Sequence, residues 1–183
     1  TASGEAMYPI IAGFKWVRTF HAMAATPVSS AGIVFGQIGF LLFRIGLVSA
    51  ILAVVIGLFG VGGSPFRLLL AFGAALLTGL AFATPLTAWS ASRDSPQSFS
   101  TIVRFVVMPL FLFSGTFFPV AAFHGALRWV VEATPLYRGV VLCRELTTGV
   151  LSWESAVSVG YLVAMGLLGL LVVRRRLDSL LLT

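Results

Sequence analysis

The chain has 183 residues, of which 58% are hydrophobic and 10% are charged, and its mean hydropathy is +1.03. These values lie far outside the range of soluble globular domains and predict an integral membrane protein. One cysteine and two histidines exclude an internal disulfide framework and leave too few ligands for a metal centre. The net charge of +6 is not a basic cluster interleaved with aromatic residues. We therefore interpret it as a topology signal and expect no nucleic-acid partner.

The first residues, 1–13, are apolar and resemble the end of a membrane span. The chain starts with Thr1 and shows no signal-peptide pattern. We therefore expect a further segment before residue 1.

The next segment, residues 14–30, is aromatic and basic. As a helix it would place its large aromatic and methionine side chains on one face and its basic side chains off that face. This pattern is typical of an amphipathic helix on the membrane surface and equally of a docking helix for a cytoplasmic partner. The residues concerned are Lys15, Trp16, Arg18, Phe20, His21 and Met23.

Four apolar segments are long enough to cross a bilayer, which requires about 20 residues in a helix. They are predicted over residues 33–62, 68–90, 99–118 and 155–173. In the second segment, small residues recur every four positions at Ala71, Ala75, Gly79 and Ala83. Such a ridge lets another helix approach closely, so we interpret it as a packing surface.

Two features of these spans are candidates for a substrate pathway. Arg44 lies inside the first span, where an arginine is either functional or long enough to reach the headgroups. The third span carries aromatic and methionine residues around Pro109, which would suit an amphipathic cargo or simply face lipid. The candidate pathway residues are Arg44, Phe105, Met108, Phe111, Phe113 and Phe117.

Residues 120–150 lie between two spans but cannot cross a bilayer. Pro135 divides the segment into two pieces, each shorter than the length needed to span, and each piece carries charge. Arg128 and Glu132 are four residues apart and can pair on one helical face. The pattern predicts a re-entrant or interfacial hairpin whose charged side chains either form ion pairs or are exposed to water. Its candidate gate residues are Arg128, Glu132, Tyr137, Arg138, Arg144 and Glu145.

The distribution of basic residues predicts the orientation. Four crossings place Lys15, Arg18, Arg93 and the triple arginine 174–176 on one side. The opposite side receives Arg67, Arg128, Arg138 and Arg144. The positive-inside rule therefore predicts that both ends are cytoplasmic and that the hairpin 120–150 is external.

Several kinds of site are missing from the sequence. Ser114 has no histidine or acidic partner at a suggestive position, so a hydrolase nucleophile is not indicated. There is no phosphate-binding Gly-Lys-Ser/Thr loop. We therefore expect no catalytic residue, no metal and no cofactor in the chain itself, and any ATP and Mg would be bound by a partner subunit.

Three stretches together resemble the permease subunit of a type-2 ABC exporter, nearest the branch that handles nodulation lipo-oligosaccharides and daunorubicin-like drugs. These are the aromatic and basic segment 15–27, the Met-Pro-Leu-Phe-Leu-Phe-Ser-Gly-Thr-Phe-Phe-Pro run at 108–119, and Thr-Pro-Leu-Tyr-Arg-Gly-Val at 134–140 followed by Arg144. The resemblance implies an all-α, six-span membrane fold of which the first span and most of the second are absent here. It also implies that residues 14–30 form the coupling helix for an ATPase and that 120–150 form paired external re-entrant helices before the last span.

The function expected from this resemblance is ATP-driven export of an amphipathic, lipid-like, glycolipid or drug substrate. The expected partners are ABC ATPase subunits, a second permease copy or homologue, and membrane lipids. The expected location is the bacterial inner membrane, with several crossings. The alternative is a non-transporting polytopic scaffold or assembly factor; a channel would need a polar pore-lining stripe, and none is evident.

Overall fold

The computed structural model describes residues 2–17, 19, 22, 27, 30–60, 63–92, 97–118, 120 and 125–181. All regular structure within these residues is helical. The helices are α1 (Ala2–Ile11), α2 (Ser30–Leu58), α3 (Pro65–Ser90), α4 (Gln97–Leu112), α5 (Ala126–Glu132), α6 (Pro135–Thr148) and α7 (Trp153–Leu181).

Three of the described helices are long and apolar enough to cross a membrane. They are α2 over Gly32–Leu58, α3 over Pro65–Ser90 and α7 over Trp153–Arg176. Each has at least 24 residues, more than the 20 or so that a bilayer requires. They lie over the first, second and fourth apolar segments of the sequence.

Helix α4 differs from the expected span 99–118, because it ends at Leu112. Ser114 leaves the helical hydrogen-bond pattern, and its Oγ donates to the carbonyl oxygen of Phe111 at 2.7 Å. Gly115 then adopts a φ of +83°, a conformation that ends helices and that other residues rarely adopt. The aromatic residues that follow therefore lie in turns and bends and do not continue the helix.

The middle of α4 is a π-helical turn over Val103–Val107. Pro109 has no N–H to donate to the carbonyl four residues earlier, so the α-helical pattern cannot continue unbroken through it. The N–H of Met108 instead donates to the carbonyl of Val103, five residues back. Such turns occur often at functional sites.

Helix α3 is the central helix, in contact with α1, α2, α6 and α7. Ser64 caps its first turn by accepting from the N–H of Arg67 at 3.4 Å, and Pro65 occupies the first position.

Neighbouring helices approach α3 closely at positions where one of the two helices has a glycine. Gly79 of α3 lies against Ile45 of α2, as the small-residue ridge predicts. The equivalent contacts on the other sides are Gly139 of α6 against Thr78 and Gly169 of α7 against Thr84.

Helix α6 runs antiparallel to the first half of α3. The guanidinium of Arg67, at the start of α3, donates to the carbonyl of Thr148 at the end of α6 at 3.3 Å. The opposite end of α6 carries Gly139, which packs against Thr78. At 1.5 Å per residue, Thr78 lies about 20 Å along α3 from its first residue. Helix α6 therefore packs along only the first half of α3.

Helix α1 packs on the other end of α3. The carbonyl of Ala6 accepts hydrogen bonds from the hydroxyls of Thr87 and Ser90, both at 3.3 Å. Met7 and Ile11 form a buried cluster with Phe99 from the start of α4. These contacts hold the beginning of α4 beside the end of α3.

Candidate functional site

The hairpin formed by α5 and α6 is held by defined caps. Thr134 accepts from the N–H of Tyr137 at 3.3 Å, and Pro135 follows at the first helical position. Gly149 ends α6 in the left-handed conformation, with a φ of +78°, and its N–H donates to the carbonyl of Glu145 at 2.8 Å. The turn between the helices is bound to α7, because the hydroxyl of Tyr161 donates to the carbonyl of Ala133 at 2.5 Å.

A cavity of about 260 Å³, lined in part by charged side chains, lies between this hairpin and the turn after α4. It brings together four of the six candidate gate residues: Arg128, Glu132, Tyr137 and Arg144. Arg128 and Glu132 form the ion pair that their spacing predicts, with Nε and Oε1 2.7 Å apart. The hydrogen bond to Glu132 raises the pKa of the Arg128 guanidinium, and burial raises the pKa of Tyr137. The guanidinium of Arg144 donates to the carbonyl of Gly115 at 3.2 Å and so connects α6 to the turn after α4.

The other two candidate gate residues do not line this cavity. The guanidinium of Arg138 lies 6.0 Å from the ring centroid of Tyr137. Glu145 accepts hydrogen bonds from the hydroxyls of Ser152, at 2.6 Å, and of Ser155. These two hydrogen bonds lower the pKa of the Glu145 carboxyl. Glu145 therefore connects the end of α6 to the start of α7.

Phe105 of α4 and Phe113, just after the end of α4, face α5 across a second, apolar cavity of about 370 Å³. Phe105 and Phe113 line it on one side, with Val130 and Val131 on the other. Phe111 does not line this cavity and makes an edge contact with Phe117, with ring centroids 5.1 Å apart. Phe105 and Met108 are largely exposed. This arrangement is compatible both with a path for an apolar cargo and with a surface that faces lipid.

Arg44 makes its ion pair with α1. Its Nη1 lies 2.7 Å from Oε2 of Glu5, and its guanidinium lies 6.0 Å from the ring centroid of Phe40. Half of the Arg44 side chain is exposed, whereas Glu5 is mostly covered. The candidate pathway residues thus fall into separate groups, because Arg44 is bound to α1 and Phe105 and Phe113 face α5.

Of the candidate coupling residues, the structure describes the side chain of Trp16 alone. Trp16 ends a π-helical turn, Ala12–Trp16, that continues α1, and its side chain is 59% exposed. Arg18, Phe20, His21 and Met23 and the side chain of Lys15 lie outside the described residues.

The sequence interpretation missed several residues that organise the site. Glu5 lies in residues 1–13, for which the sequence predicts only the end of a span, although a lone acid in one apolar segment and a lone arginine in the next are a recognisable signal of pairing. Thr134 followed by Pro135 is a helix-start signature. Ser152, Ser155 and Tyr161 have no comparable signal, because the first two bond to Glu145 on α6 and the third bonds to the turn between α5 and α6.

These observations define a polytopic helical membrane protein with a short charged hairpin packed beside its central helix. The chain belongs to the ABC-2 transporter family, described as "ABC-2 family transporter protein", which matches residues 9–174. It is therefore a type-2 ABC permease, a transmembrane component of that class of transporter.

Curated relatives carry the name nodulation protein J. The protein from Rhizobium meliloti (strain 1021) is 29% identical over 145 residues, covering 79% of this chain and 55% of the relative. The protein from Rhizobium leguminosarum bv. viciae is 26% identical over 180 residues, which cover 96% of this chain and 69% of that relative. The protein from Rhizobium leguminosarum bv. trifolii is 28% identical over 180 residues, which cover 96% of this chain and 68% of that relative. The chain thus spans between half and seven tenths of these relatives. No solved structure matches it significantly.

Proposed function

We propose that this chain is the permease part of an ATP-driven exporter that moves an amphipathic cargo, a lipo-oligosaccharide or a drug of similar character, out of the cytoplasm or inner leaflet. The observation that carries the proposal is the family match over residues 9–174. Relatives named for nodulation support a glycolipid cargo.

In this proposal, ATP and Mg are bound by two ATPase subunits, and the permease pairs with a second copy or a homologue. The sequence supports the first point because it contains no phosphate-binding loop. Residues 14–30 are proposed to be the coupling helix that meets the ATPase. The exposed indole of Trp16 supports this assignment, since exposed aromatic side chains are common anchors at protein interfaces.

The hairpin of α5 and α6 is proposed to be the external re-entrant pair. Its support is the position of α6, which accompanies the first half of α3 and reaches Thr78. At about 20 Å from the start of α3, this tip would lie within a hydrocarbon core that is about 30 Å thick. Non-helical backbone at that depth must be buried in protein or face water. The turn between the helices meets this condition through the bond from Tyr161 to Ala133.

The transport cycle would act on these parts from opposite sides of the membrane. ATP-driven closure of the ATPases would press on residues 14–30 from the cytoplasm. The movement would reach α4 through α1, which contacts Phe99 at the start of α4. At the other end of α4, Arg144 connects the turn at Gly115 to α6. We propose that movement of α4 opens the external side at this bond.

The test uses the full-length permease and its ATPase in inside-out membrane vesicles of a bacterial host, with both ends of the permease facing the added ATP. A fluorescent lipo-oligosaccharide and daunorubicin serve as probes. We expect ATP-dependent accumulation of at least one probe in the lumen. Vesicles with an ATPase whose nucleotide-binding lysine is replaced by alanine are the matched control. The scaffold alternative would be favoured if the ATPase binds the permease but neither probe accumulates in the lumen or stimulates ATP hydrolysis.

A further inference from the structure

Two opposing preferences meet in the middle of α4. Pro109 disfavours an unbroken α-helix there, because its ring would clash with the carbonyl of Phe105, four residues earlier. In the observed π-turn the N–H of Met108 bonds instead to the carbonyl of Val103, but π-helical turns are themselves rare. Both arrangements use the same N–H groups, so neither gains a backbone hydrogen bond over the other. This balance is what a helix with two states requires.

The packing of α4 leaves its upper part free to turn. Of the residues Gln97–Leu112, all of which the structure describes, Phe99 alone is buried. Phe99 lies in a cluster with Met7 and Ile11 of α1, which holds the lower end of α4 in place. The segment above the π-turn, Met108–Leu112, has no buried side chain. Rotation of that segment about its own axis would therefore disrupt no core packing.

We propose that α4 switches between this π-turn and a continuous α-helix, with the segment around Phe99 fixed and the upper segment turning. An α-helix advances by about 100° and about 1.5 Å per residue, and the hydrogen-bonded ring of a π-turn holds one residue more than that of an α-turn. Loss of the π-turn therefore rotates the upper segment by about 100° and lengthens α4 by about 1.5 Å.

The rotation acts on both cavities beside the hairpin. Pro109 lines the apolar cavity together with Phe113, whose N–H donates to the carbonyl of Pro109 at 2.9 Å, so both turn away from α5 together. Gly115 follows in the chain, and its carbonyl leaves the guanidinium of Arg144. The switch is thus a mechanism for the movement of α4 in the proposed function and in this respect rests on it. The equilibrium between the two registers requires no cargo and no ATP.

The test measures the distance between two spin labels by pulsed EPR in the full-length permease, reconstituted in liposomes in a Cys143→Ala background. The reference label is at Trp153→Cys, an exposed position at the start of α7, and the upper label is at Leu112→Cys, also exposed. A side chain about 5–6 Å from the helix axis moves by up to about 8 Å in a 100° turn. We expect two distances for the upper label. A label at Thr101→Cys, below the π-turn, should give one.

Two variants fix the register. Pro109→Ala removes the clash with the carbonyl of Phe105 and should leave only the second distance at Leu112, because proline disfavours a helix interior on the order of a hundredfold. Deletion of Val107 removes the extra residue of the π-turn while keeping the faces of both segments in place, so only the first distance should remain. Pro85→Ala is the matched control, since α3 is α-helical around this proline, and both distances should persist.

Three distance results would overturn the proposal. A single distance at the upper label, in the parent and in Pro109→Ala alike, would mean that the π-turn is fixed. Two distances that persist after deletion of Val107 would mean that they do not arise from the register. Parallel changes at Thr101 would mean that α4 moves as one rigid body.

Transport is measured separately, so that the two proposals fail independently. The variant lacking Val107 should bind the ATPase as the parent does but accumulate less than about a tenth of the probe in inside-out vesicles. Normal accumulation by this variant would overturn the switch and leave export intact. Two distances in a parent protein that accumulates neither probe would support the switch and count against export alone.

Discussion

Arg44 and Glu5 form an ion pair between α2 and α1, with a guanidinium nitrogen and a carboxylate oxygen 2.7 Å apart. Both residues lie in apolar helices, where an unpaired charge is costly, about 2.5–3.5 kcal/mol on insertion scales. The pair gives Arg44 a structural role that its position in the sequence did not reveal. It also couples two helices that flank the proposed coupling segment 14–30.

The first prediction follows from this pair. Arg44→Gln and Glu5→Gln should each lower the midpoint of thermal unfolding, because each leaves one charge without its partner. The double variant should recover part of the loss, with a coupling free energy of about 1 kcal/mol or more between the two positions. The measurement is unfolding of the permease in mild detergent. Additive effects of the two substitutions would show that the pair contributes no interaction energy.

The close packing of α3 on α2 predicts a second result. Gly79→Leu should destabilise the permease by about 1–3 kcal/mol, because even a Cβ at this position would overlap Ile45. Gly73→Leu is the matched control on the same helix, since a Cβ there meets no atom within 4 Å. The readout is the yield of detergent-stable protein in size-exclusion chromatography. Equal yields for the two variants would contradict the packing interpretation.

A third prediction tests the proposed coupling helix. Trp16→Ala should weaken binding of the ATPase by about 2 kcal/mol, roughly thirtyfold in the dissociation constant, while leaving the permease inserted in the membrane. Trp153→Ala is the control, because Trp153 is also exposed but lies on the proposed external side. Binding is measured by titrating the purified ATPase onto reconstituted permease. Undiminished affinity in the Trp16 variant would refute the docking role.

Glu145 predicts a pH dependence of stability. Hydrogen bonds from Ser152 and Ser155 lower its pKa in the folded state, so the unfolded chain binds the proton more tightly. The stabilisation is therefore complete above the ordinary glutamate pKa of about 4.3 and is lost as pH falls through the lowered value. Glu145→Gln should be less stable than the parent near pH 7, and the difference in stability should narrow as the pH falls below the ordinary glutamate pKa and disappear once the pH is below the lowered pKa. A gap that stays constant from pH 7 to pH 3 would contradict this role.

The topology predicts a fifth result, from cysteine labelling of intact cells. Cys143 should react slowly, because it is packed against α3, with its sulfur 3.8 Å from the carbonyl of Ala71, and burial raises its pKa to about 11. In a Cys143→Ala background, Val150→Cys should react with a membrane-impermeant maleimide added outside, since Val150 is exposed just after α6.

The matched position for that experiment is Ser92→Cys, at the opposite end of α3. It should react only after the cells are permeabilised. The reverse pattern, with Ser92→Cys labelled in intact cells and Val150→Cys protected, would invert the proposed orientation.

Much of the fold could be predicted from the sequence, because the physical signals involved are local. Apolar length alone indicates the spanning helices α2, α3 and α7, since a bilayer requires about 20 residues of continuous apolar helix. The caps that shape the hairpin are also local: Thr134 and Pro135 begin α6, and Gly149 ends it. The pairing of Arg128 with Glu132 follows from helical spacing.

Other features were decided only by the tertiary structure. The end of α4 at Leu112 was missed, because apolar residues continue to Phe118 and hydropathy does not register a turn at Gly115. The partner of Glu145 could not be predicted, since Ser155 lies on another helix and sequence spacing does not indicate which side chains meet there. Composition and periodicity determine which segments enter the membrane, whereas packing between helices determines which polar groups find partners within it.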